Sequence, residues 1–189
     1  MTTAISNYLG PAQSAAYRQA RIAGIFYVVN TVTAMYSFFG PRGRLTFASG
    51  LVATAAYLVV TVLFYFLFKP VDRTVSLIAA AVSMAGATVG NLEAFHVGSL
   101  HVNALIFFGF YCVLIGYLVV RSKFLPRFLG VLMVFAGLGY LTLLLPPLAT
   151  ALKPYNLAAG GLGEWALTAW LLAKGVDQQR WDEQAGLAG

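Results

Sequence analysis

At 189 residues, 60% hydrophobic and only 10% charged, with a mean hydropathy of +0.79, the chain has the composition of a polytopic membrane protein and excludes an ordinary soluble domain. The formal charge of +6 raises nucleic acid as a partner, but the basic residues sit at the ends of apolar runs and form no patch, so the membrane explains them and no nucleic acid is expected. Cys112 is the single cysteine, which rules out an internal disulfide and any cysteine-built zinc or iron–sulfur site.

Residues 1–20 are polar, and the apolar run after them lacks a small-residue cleavage site in the usual place, so that run reads as a retained helix and not as a removed signal peptide. Six apolar runs follow, over 22–39, 45–68, 74–95, 101–120, 128–145 and 156–173. Each approaches the roughly 20 residues a helix needs to cross ~30 Å of hydrocarbon. Only helices and closed barrels satisfy backbone groups in lipid, and the runs show no period-2 alternation. The predicted fold is therefore all-α, a six-transmembrane-helix bundle over 21–176 with tails at 1–20 and 177–189. Gly40-Pro41, Pro70, Pro126 and Pro146-Pro147 fall at or beside helix ends, where a missing N–H does least harm, and Gly98 sits in the short turn between the third and fourth runs. The tail after Asp177 is polar and reads as solvated, with Trp181 at the interface.

Charge sets the orientation. With the N-terminus inside, the cytoplasmic side holds Arg18, Arg21, Lys69, Arg73, Arg121, Lys123, Arg127, Lys174 and Arg180, against Arg42, Arg44 and Lys153 outside. Both termini are then cytoplasmic. Arg21, Arg73 and Arg127 open odd-numbered helices while Lys69, Lys123 and Lys174 close even-numbered ones. The spacing suggests three helical hairpins in the same orientation, with positive-inside placement alone as the competing reading, and either way it is not the inverted repeat of many transporters.

Depth picks out candidate residues. Counting about 1.5 Å per residue from each cytoplasmic end puts Asn30, Tyr57, Ser83, Tyr111, Tyr140 and Glu164 about 14–20 Å deep, near the midplane. They are the candidate lining of a ligand pocket. Glu164 weighs most, because an intramembrane carboxyl is costly, turns to the bundle interior and marks function; burial favours its neutral form. The competing reading is a neutral Glu hydrogen-bonded to Asn30 or a tyrosine merely to hold helices together. Gly160, Gly161, Glu164 and Thr168 share a helix face on which the glycines admit a close neighbour.

A second layer, near the outer surface, holds Asn91, Glu93, His96, His101 and Asn103. Glu93 and His96 are three apart and share a face, and His101 returns after a short turn. A stripe of Ser76, Ala79, Ser83, Gly86 and Gly90 orients Glu93 inward. Glu93, His96 and His101 join Glu164 as candidate catalytic groups. Glu-x-x-His is also the spacing of di-iron carboxylate bundles, but those need two such motifs and two more carboxylates. No cofactor is expected, and a metal held by Glu93, His96 and His101 is the minor alternative to a hydrogen-bonded gate or a polar cluster without a task. Phosphate loop, zinc-protease pair, nucleophile elbow and dinucleotide fingerprint are all absent.

Over 21–176 the chain resembles the DUF4386 family of bacterial six-helix membrane proteins of unknown function. The resemblance lies in Arg21-Ile22-Ala23-Gly24, the Lys69-Pro70-Val71-Asp72-Arg73 turn, Leu100-His101 and Gly116-Tyr117-Leu118 to Arg121. Phe124-Leu125-Pro126-Arg127-Phe128-Leu129-Gly130 and Gly163-Glu164 to Trp170-Leu171-Leu172 complete it. It implies that His101 and Glu164 are family features and that the protein sits in a bacterial plasma membrane. The chain departs from the family pattern of an Asp in helix two and an Arg in helix three, at positions matching Tyr57 and Ser83. Neutral groups there make a pocket suited to an apolar ligand, and Glu93 and His96 are then particular to this chain.

The leading expectation is an internal, largely apolar pocket for a lipid-like or isoprenoid small molecule. If the protein is an enzyme, the chemistry is proton-initiated isomerisation or cyclisation with Glu164 as general acid. The alternatives are a transporter or sensor of a small amphipathic solute, gated by the outer cluster, and a structural subunit without ligand. The lipid bilayer and a hydrophobic small molecule are the expected partners; the sequence leaves the oligomeric state open.

Overall fold

The computed structural model describes residues 13–94 and 103–186. The helices among these residues are α1 (Gln13–Phe39), α2 (Arg44–Phe68), α3 (Arg73–Ala94), α4 (Ala104–Arg121), α5 (Arg127–Leu141), α6 (Pro146–Ala151), α7 (Tyr155–Ala173) and α8 (Gln178–Gly186), with a 3₁₀ turn at Thr142–Leu144. There is no strand among the described residues. Each long helix packs on the next, α1 on α2 and onward through α3, α4, α5 and α7, which returns to α1. Six helices thus close a ring around an interior of Tyr27, Phe64, Tyr111, Cys112, Ile115 and Leu167, all buried.

The outside of the ring is as apolar as the inside. Ile25, Val32, Leu77, Val131, Phe135 and Leu162 are exposed, a surface that only a hydrocarbon solvent tolerates over this extent. Among the described residues, five helical stretches are long and apolar enough to cross a bilayer: Ala15–Phe39, Arg44–Phe68, Arg73–Leu92, Ala104–Arg121 and Arg127–Leu144. The chain is a multi-pass membrane protein. The sixth expected run is α7, whose 19 residues have spanning length. It stands outside that set of five because Asn156, Glu164 and its glycines lower its hydropathy, yet Asn156 and Glu164 are both buried.

Local chemistry places the helix ends. The Asp72 carboxylate accepts from the Val75 N–H at 3.0 Å and caps α3, and the Asn103 amide oxygen accepts from the Leu105 N–H at 2.9 Å and caps α4. Asp177 does the same for α8 through the Arg180 N–H at 3.1 Å. None of the residues of that last helix is buried, as a solvated tail requires, but the helix is docked. The Trp181 indole N–H donates to the Leu67 carbonyl at 2.9 Å, Gln178 accepts from the Tyr17 N–H at 2.9 Å, and Gln184 accepts from the Lys123 N–H at 3.0 Å. Residues 178–186 therefore tie the start of α1, the end of α2 and the α4–α5 turn together at one end of the ring. The nine basic residues assigned to one membrane face are distributed around that same end.

The most extensive contact joins α4 and α5. Gly109 and Gly116 on α4 meet Gly137 and Gly130 on antiparallel α5, both pairs spaced by seven residues. A methyl group on Gly116 would lie 2.7 Å from the Gly130 carbonyl oxygen, and one on Gly130 would lie 2.6 Å from the Gly116 carbonyl oxygen. The backbones touch directly. In a bilayer, where lipid is as apolar as leucine, such close approach supplies the association energy that hydrophobicity cannot.

Candidate functional site

Glu164 lies halfway along α7 and is 8% exposed. Its Oε1 accepts a hydrogen bond from the Tyr140 hydroxyl at 2.7 Å, and its Oε2 accepts from the Tyr27 hydroxyl at 3.4 Å. The first is a full-strength O–H···O bond and the second is long. One carboxyl thus links α1, α5 and α7. Tyr140 reaches it because Gly160, one turn before Glu164, has no side chain: a methyl group there would strike the Tyr140 ring. Gly163 admits the α5 backbone in the same way, 2.5 Å from where a methyl would sit to the Leu132 carbonyl oxygen.

A cavity of about 440 Å³ opens beside this carboxyl. Asn30, Tyr57, Tyr140 and Glu164 supply its polar groups, and residues such as Met35, Phe108 and Trp165 make it otherwise apolar. A second chamber of about 330 Å³, between α1, α2 and α3, shares Asn30, Ala34, Tyr57 and Ala87 with it and adds Ser37, Thr54 and Asn91. The wall between cavity and core is aromatic. Phe108 packs on Tyr140 and Tyr57 with ring centroids 5.4 and 5.5 Å apart, and Tyr57 meets Tyr111 at 5.8 Å.

The six midplane candidates therefore divide. Asn30, Tyr57, Tyr140 and Glu164 meet around one cavity. Ser83 and Tyr111 are 1% exposed and stand behind it. The Ser83 hydroxyl bonds that of Thr61 at 2.6 Å, and since Thr61 itself donates to the Tyr57 carbonyl at 3.0 Å, Ser83 is the donor in that pair. The Tyr57 hydroxyl lies beside Ser83. The Tyr111 hydroxyl lies toward Thr61 without a hydrogen bond of standard geometry. Ser83 and Tyr111 thus belong to a buried hydroxyl cluster that backs the cavity without lining it.

Tyr27 was not among the residues singled out from sequence, yet it is fully buried and holds the second carboxyl oxygen. It sits three residues before Asn30, so the two share a helix face, and that spacing was the available signal. The expected Ser76–Gly90 stripe does face inward. Ser76, Ala79 and Ser83 are buried, and Gly86 lies against Phe107 of α4. In the outer layer, Asn91 accepts from the Thr54 hydroxyl at 3.4 Å. His96, His101 and the side chain of Glu93 lie outside the described residues.

A family model, described as a domain of unknown function (DUF4386), matches residues 91–175. An uncharacterized protein of the archaeon Archaeoglobus fulgidus is 32% identical over 127 residues, covering 61% of this chain and 75% of the relative. The chain belongs to the DUF4386 family. The match includes α4, α5 and α7, and so both Tyr140 and Glu164, while Tyr27, Asn30 and Tyr57 precede it. No solved structure matches.

Proposed function

We propose that this DUF4386 protein spans the plasma membrane of a bacterial cell six times, with both termini cytoplasmic, and holds a lipid-like or isoprenoid small molecule in the cavity beside Glu164. One observation carries the reading: a buried carboxyl, hydrogen-bonded by two tyrosines, forms the polar floor of an otherwise apolar cavity of about 440 Å³. That volume lies in the range of small-molecule sites, which combine apolar walls with a few convergent polar groups. Neutral hydrogen-bonding groups at the floor favour a ligand with a hydroxyl, carbonyl or similar head over an ion.

The same geometry suits acid–base chemistry. The carboxylic acid of Glu164 would deliver its proton to one carbon of a carbon–carbon double bond, leaving the positive charge on the neighbouring carbon. Loss of a different proton to the carboxylate restores the acid and completes an isomerisation with no external reactant. Tyr140 and Tyr27 would stabilise the intermediate carboxylate by donating to it, and the faces of Tyr57 and Phe108 would stabilise the cation. The test of the pocket is mass spectrometry of what the protein carries when extracted in mild detergent without added lipid. A discrete lipophilic molecule is expected near one per chain, reduced at least tenfold by Ala34→Phe, which fills the space shared by the two chambers. Bulk phospholipid alone, in the same ratio in both proteins, would contradict the pocket.

The orientation has its own test. Ser122 is buried, its hydroxyl bonded to the Val119 carbonyl at 2.8 Å, so exposed Lys123 is the better reporter for the α4–α5 turn. In a Cys112→Ala background, Gly43→Cys is expected to react with an impermeant thiol reagent on intact cells, and Lys123→Cys only after lysis. The reverse pattern would invert the topology.

A further inference from the structure

Resting on that pocket reading, we propose that the ligand enters sideways from the bilayer through a portal between the second half of α1 and the first half of α7. It is therefore a membrane-dissolved molecule with a long apolar body and a single neutral hydrogen-bonding head, not a solute taken from water.

The two helices are in contact at one end. Gly24 of α1 meets Leu172 of α7, where a methyl on the glycine would lie 3.0 Å from the leucine side chain, and Tyr27 then reaches Glu164. Beyond Tyr27 the relation changes. Ala16, Ala20, Ala23 and Tyr27 are buried, but no residue of α1 from 28 to 39 is. This half of α1 is held from the α2 side, where the Ser49 hydroxyl donates to the Thr33 carbonyl at 2.7 Å. The Thr31 hydroxyl bonds back to its own helix, at the Tyr27 carbonyl. Here the cavity reaches between α1 and α7, flanked by Thr31, Met35 and Phe39 on one side and by Leu157, Gly161 and Trp165 on the other, with Gly86, Ala87, Ala104 and Leu105 of α3 and α4 on its far side.

The chemistry of the opening selects its traffic. Met35, Phe39, Leu157 and Trp165 are 47, 77, 42 and 56% exposed, on the flanks of a ring whose outer surface is apolar throughout. An aqueous solute approaching there would first have to shed its water into hydrocarbon. A lipid-dissolved molecule meets no such cost and gains polar partners only at the floor, where Asn30, Tyr57, Tyr140 and Glu164 converge. Gly161 keeps the α7 flank open, with nothing nearer than the Trp165 ring, 4.0 Å from where a methyl would sit.

The test uses the full chain in phosphatidylcholine vesicles containing hexadecanol with a diazirine beside its hydroxyl end, and reads photo-adducts at Asn30, Tyr57, Tyr140 and Glu164. Gly161→Trp and Thr31→Phe obstruct the portal from opposite flanks, so neither result hangs on the folding of one variant. Leu51→Trp, at the exposed wall of the second chamber, leaves the portal open. The expected result is at least a fivefold loss of floor adducts in both portal variants and no loss in Leu51→Trp. Undiminished floor adducts in either folded portal variant would overturn the lateral route and leave the pocket reading intact. Native protein with no floor adducts above those on lipid-facing Ile25 would overturn both.

Discussion

Glu164→Leu is expected to destabilise the folded bundle by about 2–4 kcal/mol, while Glu164→Gln costs less than about 1 kcal/mol. Leucine matches the volume but removes the acceptor shared by two hydroxyls. Tyr27 is fully buried and Tyr140 nearly so, and each hydroxyl would lose its partner. An unsatisfied buried donor costs about 1–3 kcal/mol, partly offset by the better solvation of an aliphatic side chain in hydrocarbon. Glutamine keeps an oxygen for Tyr140, the shorter of the two bonds. Tyr140→Phe in the leucine background should return part of the loss, because it removes one stranded hydroxyl. Denaturant or thermal unfolding in a fixed detergent measures all of these. Equal stability of Glu164→Leu and the native protein would mean that the carboxyl links no helices.

The larger effect belongs to a position with no chemistry. Gly116→Leu is expected to abolish the native α4–α5 contact and with it most of the folded yield. The new Cβ would lie 2.7 Å from the Gly130 carbonyl oxygen and 2.8 Å from the Val134 backbone nitrogen. Neither is the movable end of a side chain, so the helices themselves must separate. Overpacking typically costs 1–3 kcal/mol where side chains can adjust, and about 3 kcal/mol or more is expected where backbone must yield. Gly43→Ala and Gly186→Ala, each with nothing within 4 Å of the added methyl, serve as controls and should purify like the native protein. Full yield and unchanged melting of Gly116→Leu would refute the direct backbone contact.

The apolar runs carried the positions of the helices, because burial in lipid demands long unbroken stretches and little else. Their ends moved where polar residues continue a helix beyond the apolar part: α1 begins at Gln13, well before Ile22, since Ala-rich polar sequence is as helical as apolar sequence. α8 was invisible for a related reason. Its docking runs from glutamine and tryptophan side chains to backbone groups, and hydropathy does not register such bonds.

The candidate site was legible in depth but not in rotation. Counting along each helix ranked Tyr57, Tyr111, Tyr140 and Glu164 at one level, yet only the helix packing turns Tyr111 away from the cavity and Tyr140 into it. Ser83 has the same history, drawn to Thr61 by a hydrogen bond between neighbouring helices. Tyr27 escaped because Asn30 is the more polar residue of the same face, although the tyrosine makes the contact with the carboxyl. The α4–α5 contact was written in the sequence as two seven-residue glycine pairs, Gly109 with Gly116 and Gly130 with Gly137. Its meaning depends on the two helices being antiparallel partners.

The most direct measurement of the central claim is an experimental structure of the protein transferred from its native membrane into lipid nanodiscs without a detergent wash that strips bound lipid. Elongated density is expected in the cavity, with its apolar body toward Met35 and Trp165 and its polar end within hydrogen-bonding distance of Glu164, Tyr140 or Asn30. A cavity filled only by ordered water, or collapsed by contact between the second half of α1 and the first half of α7, would contradict it.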